Sequence, residues 1–244
     1  AVRTDPDFAH RLAGICVMGG GALGGNVTEA AEFNVFADPE GGLYARRVGL
    51  DVAGVPNDAP PELSEPGFKV LHIQDLDFNS SCLTFVDCLQ QVEDWSDDNP
   101  GHLPITILVE LKDDPIPDPF DFGFTRPVEI GAAELDALDA EIRSVFGRRD
   151  LITPDDVRGR RGTLEEAVLH DGWPTLRDAA GKVMFVMDNG GAARDLYRDG
   201  RPSLEGRVLF TNSFPGEPDA AFVKVNSPVG NESYIQGLVA DGYV

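Results

Sequence analysis

Lysine is almost missing from this chain: Lys69, Lys112, Lys182 and Lys224 are the four in 244 residues. All Lys and Arg together number 20 against 42 Asp and Glu, a formal net charge of −22. A nucleic-acid partner is excluded on that balance, because phosphate binding needs clustered cations. Adsorption to an anionic membrane by net charge is excluded for the same reason. No apolar run approaches the roughly 20 residues of a membrane span. The three cysteines form no C-x-x-C or Cys/His pattern, which argues against a structural zinc. Internal repeats, low-complexity tracts, an initiating Met and a signal peptide are all lacking. The last residues, Asp241-Gly242-Tyr243-Val244, read as a turn entering a further strand. We therefore expect processing or truncation at one or both ends.

What is present fits a globular chain. Hydrophobic content is 42%, too high for a disordered acidic tail. The length suits one large domain, and we expect a single domain over residues 1–244. Near-continuous apolar runs recur at Ala31–Ala37, Phe68–Gln74, Ile105–Lys112, Lys182–Asp188, Arg207–Asn212 and Phe222–Asn226. Such runs suit strands buried on both faces, as in a parallel sheet. Between them, 3.6-residue periodicity predicts helices over Thr84–Ser96, Ala132–Phe146, Leu164–Leu169 and Ser233–Asp241. In the second, Glu134, Asp136, Asp139 and Glu141 fall off the apolar stripe. The segments 49–67 and 113–129 are rich in Pro, Gly and Asp and read as long connections, which are usually functional or mobile. Alternation of strand and helix predicts an α/β fold with a parallel sheet. The six strands, and one starting near Tyr243, fall just short of an eight-stranded barrel.

Polar residues gather at the ends of these strands. Glu32 and Asn34 lie two apart on AEFNVF, as do His72 and Gln74 on KVLHIQ and Glu110 and Lys112 on VELK, so each pair points one way. Asp75 and Asp77 follow His72. Asp188 and Asn189, Asn212, Lys224 and Asn226 end later strands. In a parallel barrel these ends face one mouth, where chemistry takes place. Each taken singly has a plainer reading: a core histidine, a strand-end ion pair, or turn chemistry. Repetition at one end favours a site. Two carboxylates and an amide oxygen make a hard oxygen set suited to calcium or magnesium. Lys112 and Lys224 at such ends suggest that an anionic group is met there, or else that each neutralises a neighbouring acid. Cys82 and Cys88, six apart where a loop enters a helix, are either two buried thiols or a short-range disulfide of an oxidising compartment. Cys16 is left over.

The chain resembles the calcium-dependent phosphatidylinositol-specific phospholipase C family of bacteria. The matching stretches are AEFNVFADPEGGLYA, the segment from PGFKVLHIQDLDFNSSC to ITILVELKD, LHDGWPTLRDAAGKVMFVMDN, and SLEGRVLFTNSFPGEPDAAFVKVNSPVG. The resemblance implies a TIM-like (β/α) barrel, incomplete at the N-terminus and also at the C-terminus, with parallel strands and outer helices. It implies a phosphoric diester hydrolase acting on a phosphoinositide or another small phosphodiester, with calcium as cofactor. Glu32, Asn34 and Glu110 would be metal ligands, His72 the second catalytic histidine, and Lys112 a group at the substrate phosphate, with Lys224 also toward substrate. It favours a Cys82–Cys88 disulfide and a secreted or periplasmic location, with at most transient membrane contact. Three positions depart from the pattern. A first histidine, in a His-Asn pair, has no counterpart; His10 matches a position just downstream of it, which puts the pair ahead of residue 1. Asn34 stands where the family has Asp. Leu12–Thr28 is glycine-rich and fits poorly, with no clear helix after its glycines to cradle a phosphate. The alternatives are a catalytically impaired barrel that acts as a binding protein, and a glycerophosphodiester phosphodiesterase.

Overall fold

The structure, a computed structural model, is described for residues 30–77 and 80–244. His10, Cys16 and the glycine-rich Leu12–Thr28 lie outside these. The described chain divides into two compact units. The first runs up to Asp98 and takes in Val109–Phe146; the second is Asn99–Leu108 with Gly147–Val244.

In the first unit, β1 (Ala30–Phe36) pairs with the two-residue β2 (Lys69–Val70) in antiparallel register, Val35 opposite Val70. On its other edge β1 neighbours β3 (Ile105–Leu111), whose last residues belong to this unit. Phe33, Val35 and Phe36 are all buried, so β1 is covered on both faces as its apolar run predicts. Helix α1 (Val48–Ala53) and a short 3-10 turn at Pro61–Ser64 occupy a segment expected to be pure loop. Helix α2 (Phe85–Asp98) starts where Thr84 Oγ1 accepts the Asp87 N–H (3.1 Å), the usual way to satisfy a first-turn donor. It buries Phe85, Leu89 and Val92, and Phe85 packs edge-on against Phe33 (5.9 Å between centroids). A Cys82–Cys88 disulfide ties the preceding loop to its first turn, which decides between the two readings of that pair. Helix α3 (Ala132–Val145) buries Leu135, Leu138 and Ile142.

Two acidic side chains of α3 depart from its amphipathic pattern, Asp139, which is buried, and Glu141. Glu141 turns inward and accepts the Phe68 N–H (2.9 Å), while its Oε2 is buried without a hydrogen bond. Burial pushes its pKa above the ordinary carboxylate range, outweighing the Phe68 N–H and the Lys69 charge. A carboxyl raised in this way holds more protons folded than unfolded, so its contribution to stability is full below its ordinary pKa. That contribution is lost as pH rises through the elevated value. Glu141→Gln keeps an oxygen for Phe68 and removes the titration. Urea unfolding at pH 5 and pH 7 should show a flatter pH dependence and no loss at pH 7. A loss of more than about 1 kcal/mol at pH 7, the worth of one hydrogen bond, would contradict this.

In the second unit, β5 (Val183–Met187) is buried throughout and pairs in parallel with β4 (Leu151–Ile152) and β6 (Leu209–Thr211). The first half of β3 joins it, with the Ile105 N–H donating to Lys182 O (3.0 Å). The short helices α4 (Pro154–Arg158), α5 (Leu164–His170), α6 (Leu176–Ala179) and α7 (Gly191–Tyr197) precede the C-terminal α8 (Glu232–Asp241). Thr153 caps α4, with Pro154 at its first position and Asp156 accepting the Thr153 N–H (3.0 Å); this capping arrangement was visible in the sequence as Thr-Pro-Asp-Asp. The run Phe222–Asn226 is not a regular strand and contributes only a parallel bridge, Asn212 opposite Phe222. Val244 extends that pairing: its N–H donates to Ala221 O (3.0 Å), and the Val223 N–H donates to Val244 O (2.8 Å). The fold is thus mixed α/β with a mostly parallel sheet.

Candidate active site

Glu32 and Asn34 share one side of β1, by the two-residue period of a strand. Asn34 is buried and Glu32 half-buried. The neighbours of β1 bring the other residues of the first unit to this place. The Leu71 N–H donates to Asn34 O (3.3 Å), so Leu71 lies across from Asn34 on one edge and His72 follows it as the chain leaves the sheet. The Lys112 N–H donates to Val35 O (2.9 Å), which sets Glu110 and Lys112 on the other. Glu110 and Lys112 are half-buried and paired, Nζ to Oε1 at 2.9 Å. The backbone pairing therefore brings the segments that carry His72 and Glu110–Lys112 alongside β1, which carries Glu32 and Asn34; among these side chains, Glu110 contacts Lys112. Lys224 lies in the second unit. There it pairs with the Asp188 carboxylate, and its N–H donates to Asn212 Oδ1 (3.2 Å).

His72 does not stand on a strand. β2 stops at Val70, and a tight turn follows in which Ile73 bridges Asp77 and Asp75 has a left-handed φ of 64°. A non-glycine residue there needs compensation. Asp75 finds it through its carboxylate, which is buried at 3% exposure. That carboxylate accepts the Val48 N–H (3.0 Å), the Thr125 N–H (2.6 Å) and the Thr125 hydroxyl (3.0 Å). Gly49 must be glycine for the same turn to sit, because a Cβ would come within 2.3 Å of Asp75 O. On this pinned turn, His72 Nδ1 lies 2.9 Å from Asp77 Oδ2. Gln74, expected to point with His72, is buried and donates to Asp114 O (3.2 Å).

The connection 113–129 is likewise held. Thr125 is fixed by Asp75, the Ile130 N–H donates to Asp113 Oδ2 (3.1 Å), and Asp118 accepts the Phe122 and Gly123 N–H groups (each 2.8 Å). Asp75, Asp77 and Asp118 are the residues whose roles the sequence did not reveal. The only sequence signal for the first two was the Asp-Leu-Asp following the histidine.

The oxygen donors Glu32, Asn34 and Glu110 suit a hard cation such as calcium by type. Among the described residues, no group of three or more His, Cys, Asp and Glu is placed to hold a metal. A set here has two carboxylates and must be completed by the Asn34 amide.

The comparisons with known proteins bear on the fold and the family. A stretch of 56 residues is 39% identical to "Probable uridine nucleosidase 2" of Arabidopsis thaliana, covering 22% of this chain and 17% of that protein. A calcium-dependent phosphoinositol-specific phospholipase C from a Gram-negative Pseudomonas species superposes with a TM-score of 0.50 at 20% identity, over 88% of this chain and 64% of that one. The structure of that enzyme described as a myo-inositol complex gives 0.50 at 19%, with the same coverage. The chain thus spans under two thirds of these solved structures and under a fifth of the nucleosidase. The model of one family, phosphoinositide phospholipase C, Ca2+-dependent, matches residues 24–244. The resemblance read from the sequence is borne out, and the chain belongs to the Ca2+-dependent phosphoinositide phospholipase C family.

Proposed function

We propose that this chain is a calcium-dependent phosphodiesterase that cleaves a phosphoinositide in the manner of a phospholipase C. The observation that carries the reading is the family match over residues 24–244, supported by a β1 that carries Glu32 and Asn34 between the segments of His72 and of Glu110 and Lys112. In the first step the inositol 2-hydroxyl attacks phosphorus and passes its proton to a general base, the role of the first histidine that has no counterpart in residues 1–244, and the bond from phosphorus to the glycerol oxygen breaks. The leaving oxygen gains a proton. His72 stabilises the phosphoryl oxygens or supplies that proton. Lys112, held by Glu110, offers a fixed cation to the substrate phosphate. Glu32, Asn34 and Glu110 would hold calcium. When bound, calcium supplies concentrated positive charge for the pentacoordinate phosphorus. The finer fold reading is one TIM-like barrel domain, supported by the family.

The test of substrate class is a paired assay of phosphatidylinositol and glycerophosphodiesters. Preference for phosphatidylinositol supports the reading; preference for glycerophosphodiesters replaces it with the phosphodiesterase alternative. Asn34 bears on the second reading, a barrel that binds without catalysis, because the amide removes one ligand charge. Affinity for calcium follows ligand charge count. Asn34→Asp should tighten calcium binding by about tenfold in calorimetry. Unchanged or weaker binding would remove position 34 from the ligand set.

Any membrane contact is at most transient, and apolar or calcium-bridged rather than driven by the net charge of −22. Phe120, 77% exposed, and Phe122 on the pinned connection after β3 offer such a contact. Liposome binding that rises with anionic lipid in chelator contradicts it. The disulfide supports an exported protein, since such bonds persist in oxidising compartments. Finding the native chain in the cytosol with both thiols free would contradict export.

A further inference from the structure

The turn carrying His72 is built with more care than a surface loop needs. The turn spans six residues, His72 to Asp77, and its two ends are bonded: the His72 and Ile73 N–H groups donate to Asp77 O (3.1 and 2.9 Å), and the Asp77 N–H returns to Ile73 O (2.9 Å). The buried Asp75 carboxylate locks its tip from two directions. The effect is to fix the backbone of Asp77 relative to that of His72. Their side chains then meet at 2.9 Å, through Nδ1 and not Nε2.

We infer that Asp77 is the positioning residue of His72, holding the imidazole with its proton on Nδ1 and leaving Nε2 as the working nitrogen. The inference rests on the reading of His72 as a catalytic group, and it goes beyond that reading by assigning a second residue and a tautomer. The reason is chemical. An ionised carboxylate only accepts hydrogen bonds, so the nitrogen facing it must carry hydrogen. In neutral His72, Nε2 then has a free lone pair that can take a proton. In charged His72, Nε2–H can give one, and Asp77 steadies the positive ring without itself being protonated. Either way the proton moves at Nε2, and the ring does not have to rotate to present it.

The test reads the tautomer directly. In two-bond 15N–1H spectra of the full chain at pH 8, with the His72 signal assigned by its loss in His72→Gln, the wild type should show the Nδ1–H form. Asp77→Ala should lose that form. It should also lower kcat by roughly 10–100-fold with KM and Tm little changed; Asp77→Glu should restore part of both. A wild type in the Nε2–H form, or a tautomer and kcat unchanged in Asp77→Ala, overturns the inference. The phospholipase reading fails separately: a wild-type chain that cleaves no phosphatidylinositol sinks that reading, while the spectra still decide whether Asp77 sets the ring.

Discussion

His72→Gln is expected to lower phosphatidylinositol cleavage by about 10²–10⁴-fold, the usual worth of one positioned acid–base group. At about 1.36 kcal/mol per tenfold this is roughly 3–5 kcal/mol of transition-state stabilisation. The side chain is half exposed and, among the described residues, pairs with Asp77. Its loss should therefore leave Tm close to wild type, as for most surface substitutions. Glutamine keeps polarity and size and removes only the group that can move a proton at neutral pH. A fall in kcat with an unchanged unfolding curve would assign the loss to chemistry. Activity within threefold of wild type would remove His72 from the mechanism.

Lys69→Met is expected to cost about 3–5 kcal/mol of stability, the penalty for stranding the partner of a buried ion pair. Lys69 is completely buried, and its Nζ reaches Asp38 Oδ2 (3.4 Å), Glu65 O (2.6 Å) and Gly67 O (2.9 Å). Among the described residues, Asp38, 2% exposed, would keep the Leu43 N–H (3.2 Å) for its charge. For a chain of this length the loss corresponds to a fall of roughly 10 °C in Tm. Replacing both partners, Lys69→Met with Asp38→Leu, should recover most of it, because two apolar groups leave no charge buried. Loss of less than about 1 kcal/mol in the single variant would mean that water reaches Asp38. The position matters for the site, since Lys69 begins β2 and β2 leads directly to the turn of His72.

The elements legible in the sequence were those with sustained periodicity. Ala31–Ala37 and Ile105–Lys112 became β1 and β3 within a residue, and Ala132–Phe146 became α3. β4 was missed because two residues carry no period. α7 was missed because it opens on a glycine pair, which disfavours helix until tertiary packing stabilises it. The run Phe68–Gln74 misled for a different reason. Its composition suits a strand, but the chain leaves the sheet after Val70, because Asp75 finds its hydrogen-bond donors on Val48 and Thr125, 27 and 50 residues away. No local pattern encodes such partners. The same limit applies to the site. Glu110, Lys112 and His72 stood out as polar groups ending apolar runs. Asp77 stood out only as an acid nearby, since its alignment on His72 depends on the turn. Lys69 read as one more strand residue, because burial of a lysine is visible only once Asp38 is seen to face it.

Release of inositol phosphate from phosphatidylinositol, measured for the same protein in calcium and in chelator, tests the proposed activity most directly. Release in calcium that stops on chelation and returns when calcium is restored, and that is lost in Glu110→Gln, is the predicted result. Release that continues unchanged in chelator, or none in calcium, would contradict it.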